Sequence, residues 1–299
     1  MKSLAIACAS GTFKGVFVHG VLSAFESSNF RADAYGGASS STLSTACATI
    51  GKAREIGVEY WCKTLNFLQH SGNSMSEAVL QSITEYSPML RAHLFLPDTA
   101  RLIIAASAVV TPEGAEETQG KRARRLGRQL LLSAARGDRT WVDRHLLTHL
   151  FDSLASQDGL PLNAYNFDEV AYASTRMLHA WDIPAWVDKQ PYIDASYTCS
   201  CPAIELAQLG YNEVIAVAIE PGEVYRDLFK TALIPTDWEN VPIYFIKPDV
   251  DPKVMGVDFT NATKEGLYAV YKHGQEKGEE FIAKYLRGYL SSKDKNEGS

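Results

Sequence analysis

Three stretches of the chain place reactive side chains where small residues turn the backbone. The first is Gly36-Gly37-Ala38-Ser39-Ser40-Ser41-Thr42. An apolar run leads in, small residues make the corner, and a helical pattern leads out. A serine on such a strand-to-helix turn projects its Oγ at the end of a sheet, beside the positive end of a helix, where it can act as a nucleophile. The same residues also suit a plain N-cap, with Ser39 or Ser40 as the capping hydroxyl. The second stretch is Ala9-Ser10-Gly11-Thr12-Phe13-Lys14-Gly15. It ends an apolar run and opens a helix, so its backbone N–H groups could hold an oxyanion or a phosphate. It lacks the Walker A spacing and the three glycines of a dinucleotide fingerprint. The third is Tyr192-Ile193-Asp194-Ala195-Ser196. An Asp directly after an apolar pair is either a strand-end carboxylate aimed into a site or a turn residue capping the next helix.

Short apolar runs and helical patterns must position these groups. Ser3–Cys8, Ala32–Gly36, Glu169–Ala173, Glu213–Ile219 and Pro242–Lys247 read as strands. They are nearly continuously apolar, as strands covered on both faces are. Helical patterns follow at Val16–Ser27, Ser40–Ile50, Ile204–Leu209 and Thr263–Leu290. This alternation predicts an α/β fold with a parallel or mostly parallel sheet and helices on both faces. Residues 1–290 are expected to form a single domain, with 55–156 as a helical insertion or cap within it and 291–299 as a polar tail.

The chain has 299 residues, 46% of them hydrophobic and 21% charged, enough for a large core and too apolar for global disorder. Its net charge of −6 argues against a dedicated nucleic-acid binder. Five scattered cysteines read as free thiols of a reducing compartment, and Cys199-x-Cys201 lacks a second pair for zinc. The start of the chain is not expected to act as a signal peptide, and the apolar run Leu102–Val110 is about half a bilayer crossing. A cytoplasmic location is expected. The sharpest charge shift is Lys121-Arg122-Ala123-Arg124-Arg125-Leu126-Gly127-Arg128. It reads as a solvated helix face, or as a patch facing anionic lipid headgroups or a phosphate-bearing substrate.

In this order the three stretches resemble the patatin-like phospholipase family. That family has a Gly-rich loop G-G-G-x-[RK]-G after the first strand, G-x-S-x-G after the second, and D-G-[GA] well over a hundred residues later. Here the loop is Ser10 to Gly15, the elbow is Gly37 to Ser41, and Asp194-Ala195-Ser196 lies 155 residues after Ser39. Gly15 to Leu22 also follows the family's first helix, G-x-x-x-x-G-V-L. Ser10, Thr12, Ser41 and Ala195 stand where the family has glycine.

The resemblance implies a three-layer α/β fold and a serine hydrolase of lipid esters, of phospholipase A or lysophospholipase type. It implies a Ser39–Asp194 dyad, an acyl-enzyme intermediate and no metal or cofactor. By the same likeness the Gly11 and Thr12 N–H groups would hold the oxyanion, with Lys14 adding positive field. A lipid or acyl ester would be the partner, with peripheral contact to an anionic membrane through Lys121, Arg122, Arg124, Arg125 and Arg128. The alternatives are a thioesterase or acyltransferase on the same fold, or a weakly active or inactive binding protein. A histidine triad has little support. His273, the only histidine after Asp194, sits in a polar stretch and reads as a surface residue. His19 reads as a packed residue, and His145 and His149 lack the intervening Glu of a metal motif.

Overall fold

The computed structural model describes residues 3–70, 72–155 and 159–296. The strands are β1 (Leu4–Cys8), β2 (Ala34–Ala38), β3 (Arg101–Val109), β4 (Leu146–Asp152), β5 (Leu160–Pro161), β6 (Ala185–Val187), β7 (Gln190–Ile193), β8 (Glu213–Val217), β9 (Asp237–Trp238) and β10 (Val241–Ile246). The helices are α1 (Gly15–Ser27), α2 (Ser41–Thr49), α3 (Ala53–Ile56), α4 (Glu59–Gln69), α5 (Met75–Leu94), α6 (Pro112–Gln119), α7 (Ala123–Ala134), α8 (Thr140–His145), α9 (Phe167–Thr175), α10 (Ala203–Gln208) and α11 (Lys264–Asn296).

The sheet runs β5-β4-β3-β2-β1-β8-β10-β9, and its central strands β3, β2, β1, β8 and β10 are all parallel. Antiparallel β4 and β9 flank them, and β7 pairs antiparallel with both β3 and β6. Alternation along the strands shows why helices cover both faces. Leu4, Ile6 and Cys8 of β1, with Ile215 and Val217 of β8, join the core under α1, α4 and α11. Ala5, Ala7, Val214 and Ala216 face the opposite core under α10. This is the expected α/β class, with a mostly parallel sheet between two helical layers.

Helices α1 and α11 touch backbone to backbone through glycine. A Cβ on Gly20 would lie 2.1 Å from the Tyr271 carbonyl oxygen, and one on Gly274 would lie 2.2 Å from that of Phe17. Neither oxygen can move without moving its helix. Gly20→Ala is therefore expected to cost about 1–3 kcal/mol, the range for overpacking a tight core. Thermal denaturation checks this, and an unchanged melting temperature would show that the helices part freely.

Two expectations are corrected. Glu169–Ala173 is helix, inside α9, not a strand. Phe167, Val170, Ala171 and Ser174 recur at helical spacing, and α9 is buried on nearly all sides, so its apolar run mimics a covered strand. Asp168 and Glu169 lie in its first turn, where the helix dipole favours them. The stretch 55–156 is not wholly helical either. Its apolar run Leu102–Val110 is almost entirely β3, a central strand buried on both faces, and β4 follows it. Helix α11 also runs past the expected end at Leu290, so residues 291–296 of the expected tail continue it; residues 297–299 lie outside the described residues. Among the described residues no helix is long and apolar enough to cross a membrane.

Candidate active site

From β1 the chain steps to β2 and β3 on one side, and later returns to β8 and β10 on the other. In open α/β sheets the crevice outside the carboxyl ends of strands at such a reversal is the usual ligand site. The Gly11 loop leaves β1 there and the Ser39 corner leaves β2.

Ser39 occupies the corner with φ +53°, a left-handed conformation that L-residues adopt at a cost of about 1–3 kcal/mol. The corner is held on several sides. The Ser39 N–H donates to Ser174 Oγ at 2.9 Å, and Thr42 Oγ1 donates to the same oxygen at 3.1 Å. Ser41 is buried, and its hydroxyl donates to the Cys8 or Ala38 carbonyl oxygen and accepts from the Ala38 N–H. The serine in the place of the family's last elbow glycine thus ties the corner to the end of β1. A side chain on Gly37 would meet Thr42 Cα at 3.2 Å, so that glycine allows α2 to leave close to β2.

Asp194 follows β7 and is 1% exposed, while Ser39 is 6% exposed. The Ser39 hydroxyl donates to Asp194 Oδ2 at 2.6 Å. Asp194 Oδ1 accepts from the Ser196 N–H at 2.8 Å and from Ser196 Oγ at 2.5 Å. Ser107 Oγ, in β3, donates to the Asp194 carbonyl oxygen at 2.8 Å. Burial pushes the Asp194 carboxyl up to about 6, against the opposing pull of the Ser196 and Ser39 hydrogen bonds. It therefore remains mostly ionised at neutral pH and is a stronger base than an exposed aspartate. Ala195 is buried and has no positive φ, so no glycine is required there.

The Gly11 loop is arranged differently from expectation. The Gly11 N–H donates to Ser40 Oγ at 3.1 Å and is already engaged. Thr12 keeps φ +47°, the region glycine favours, and its N–H has no acceptor among the described residues. The Ser40 N–H is also without one there. The sequence offers Ser40 only as a capping hydroxyl, and at the N-cap of α2 its side chain makes no capping bond; the residue after a nucleophile is nonetheless a recurrent oxyanion donor.

Lys14 does not direct its charge freely toward Ser39. It is buried, and its Nζ donates to Glu220 Oε1 at 2.5 Å and Asp251 Oδ1 at 2.8 Å, beneath the Phe259 ring. Its charge is balanced locally, and it clamps the loop carrying Phe259 to the start of α1. Lys14→Met is expected to cost about 1–3 kcal/mol. That is less than the ~3–5 kcal/mol for breaking a fully buried pair, because both carboxylates reach water. A thermal melt checks it, and a loss under 0.5 kcal/mol, about the range of an ordinary surface substitution, would contradict the clamp.

Two spaces meet at Ser39, and both are bordered by Thr12, Ser39 and Trp181. One is a narrow apolar slot walled by Tyr60 and Trp61 of α4 and by Met75, Val79 and Ile83 of α5. The other is an open groove of about 460 Å³ between the ends of β1 and β8, with Met177 and Leu131 on its far wall. Three of its carboxylates bond cations, Glu220 with Lys14, Asp227 with Arg139, and Asp258 with Lys253. Trp181 is buried between the two spaces, and its Nε1 has no partner among the described residues.

Among the described residues no histidine bonds Ser39 or Asp194, although His179 lines the groove. His19 is fully buried, its Nε2 bonded to the Ala53 carbonyl oxygen and its Nδ1 accepting from Trp61 Nε1. Burial lowers its pKa to about 4, so it is neutral. His273 is not a surface residue as expected; it is half-buried, packs on Phe17, and accepts from the Asp249 N–H. His145 ends α8 while His149 lies in β4, and they bond Thr111 and Tyr192 respectively. The five cysteines are buried and free.

No protein-family model matches the chain, and no curated protein matches it in sequence. Among solved structures, human GIVD cytosolic phospholipase A2 is similar with a TM-score of 0.49 and 10% identity. The match covers 97% of this chain and 63% of that one, so this chain spans less than two thirds of its length. A likeness of this size assigns neither a family nor an activity.

Proposed function

We propose that the chain is a serine acyl hydrolase acting on lipid esters, of phospholipase A or lysophospholipase type. The observation that carries this reading is the 2.6 Å bond from the Ser39 hydroxyl to the buried Asp194, at a left-handed corner where an apolar slot meets an open groove. The resemblance of the three motifs to patatin-like phospholipases supports the same assignment.

In this mechanism Asp194 takes the Ser39 proton as Oγ attacks the ester carbonyl. The Thr12 and Ser40 N–H groups supply the oxyanion donors, which develop their full effect only as negative charge forms. Asp194 then gives the proton to the departing alcohol oxygen, leaving an acyl-Ser39 ester. Water, deprotonated by Asp194, attacks that ester, and the proton returns to Ser39 as the acid leaves. The apolar slot takes the acyl chain and the groove takes the alcohol portion. Arg124, Arg128 and their neighbours contribute nothing to these steps.

Acid release from a lysophospholipid, a diacyl phospholipid, an acyl thioester and a short-chain nitrophenyl ester tests the class. Turnover of the oxygen esters, with the thioester no better, is expected. Preference for the thioester would move the assignment to a thioesterase or acyltransferase. A binding protein without turnover is the second reading, and one observation favours it: Ser40 Oγ already occupies the Gly11 N–H. It would be recognised by saturable lipid binding with no acid released.

A further inference from the structure

The basic run at 121–128 lies at the edge of this groove and plays no part in the mechanism above. Helix α7 is two-sided. At 100° per residue, Arg124, Arg125, Arg128 and Leu132 share one face, and Lys121 lies just before them on the same line. Ala123, Leu126, Gly127 and Leu130 form the opposite, buried face. The outer side chains are exposed, Leu132 at 62%. Among the described residues none of Lys121, Arg122, Arg124, Arg125 or Arg128 has an ion-pair partner, unlike nearby Arg139 and Arg144.

The placement is electrostatically costly for the helix. Cations crowd its positive end, no acidic residue lies in its first turn, and no side chain caps it. An external anion would relieve this. The helix is also fixed to the groove wall. A Cβ on Gly127 would lie 2.4 Å from the His179 backbone nitrogen, and Arg124 Nε donates to the His179 carbonyl oxygen at 3.3 Å. His179 and, from α7 itself, Leu131 line the groove that reaches Ser39.

We infer that the outer face of α7 docks the protein on an anionic lipid bilayer, with the Ser39 groove opening beside the contact. Residues 121–144 carry eight Lys/Arg and two Asp, a net of +6, so the rest of the chain is −12. Such a distribution favours turning this stretch, rather than the acidic remainder, toward a negative surface. The exposed Leu132 among the arginines suits an interface with an apolar layer beneath its charge. A nucleic acid is the less fitting polyanion, because residues 121–132 include no aromatic side chain to stack bases in series and the remaining −12 repels a long one. The choice of a lipid surface rests on the proposed lipid-ester hydrolysis, but the docking test does not use turnover.

Sedimentation with large vesicles measures it, using the whole 299-residue chain carrying Ser39→Ala so that the lipid stays intact. Vesicles of neutral phosphatidylcholine are compared with vesicles containing 30% phosphatidylglycerol. Binding to the anionic vesicles only, weakened by salt, is expected. Replacing Lys121, Arg125 and Arg128 together by Gln should lower the partition coefficient about 100-fold, at roughly fivefold per cation. Circular dichroism of the variant establishes that it is folded. If the triple variant is unfolded, Arg125→Gln alone should give the single fivefold step. Equal binding to both vesicle types, no loss in the folded variants, or tighter binding to single-stranded RNA than to the anionic vesicles would overturn the assignment. None of those results bears on ester hydrolysis by the unmodified protein, which is read separately.

Discussion

Ser39→Ala is expected to lower ester hydrolysis by about 10⁴–10⁶-fold while leaving the fold intact. The nucleophile is the one group in the proposed mechanism with no substitute, and losses of this size follow removal of a catalytic serine. The corner is held by the Ser39 backbone N–H and by Ser41, Ser174 and Thr42, none of which needs the Ser39 hydroxyl. Removing one hydroxyl should leave the melting temperature within a few degrees of the parent. A collapse in activity without a collapse in stability separates a chemical role from a structural one. Loss of less than tenfold would transfer the chemistry to another group.

Asp194→Asn should act in opposite directions on activity and stability. The amide keeps the shape and can still accept from Ser196 and donate to Ser39, but it cannot take a proton. Hydrolysis should fall about 10³–10⁴-fold, near the loss seen when a catalytic carboxylate is neutralised. Stability should rise. The Asp194 carboxyl sits at about 6 in the folded protein against a reference of 3.8. The folded state therefore binds the proton more tightly than the unfolded state, and stability falls as pH climbs from about 4 to 6. Above pH 6 the buried charge costs on the order of 3 kcal/mol, from about two units at 1.36 kcal/mol each. The Asn variant should thus melt several degrees higher than the parent at pH 7.5 and at nearly the same temperature at pH 4. The parent's kcat/KM should rise with pH through about 6 as Asp194 ionises. A variant less stable than the parent at pH 7.5 would show that the carboxylate is held by stronger interactions than its bonds to Ser39 and Ser196.

The sequence makes the Ser39 corner visible because a tight strand–helix turn restricts the residues that can form it. Gly37 and Ser41 are small where α2 leaves β2, and that constraint is visible even though Ser41 stands at the last position of the G-x-S-x-G pattern. Asp194 is visible because it directly follows the apolar end of a strand, with the small residues Ala195 and Ser196 after it. Strands β1, β2, β8 and β10 begin and end within two residues of their expected limits; β1, β2 and β8 are buried on both faces and so nearly continuously apolar, and the partly exposed β10 is still mostly apolar.

The same property hides β3. A nine-residue apolar run has no periodicity, and its length alone separates a covered strand from part of a membrane span. Helix α9 is hidden by the converse, being a helix buried enough to lose its polar face. Pairings distant in sequence leave no local trace. Lys14 is adjacent to the candidate oxyanion loop in sequence, but its partners Glu220 and Asp251 lie 206 and 237 residues away. The engagement of the Gly11 N–H by Ser40 Oγ depends on how β1 and β2 align, with Cys8 opposite Gly37. The Ser174 and Ser107 contributions are likewise tertiary, and each is one serine among many in the sequence.

The central claim is that Ser39 is an activated nucleophile, and covalent labelling tests it most directly. Folded protein is treated with a fluorophosphonate at pH 7.5 and the modified peptide is identified by mass spectrometry. A single adduct on Ser39 is predicted, slowed strongly in Asp194→Asn and abolished by prior unfolding. An unlabelled Ser39 in folded protein, or an adduct on another serine at the same rate, would contradict it.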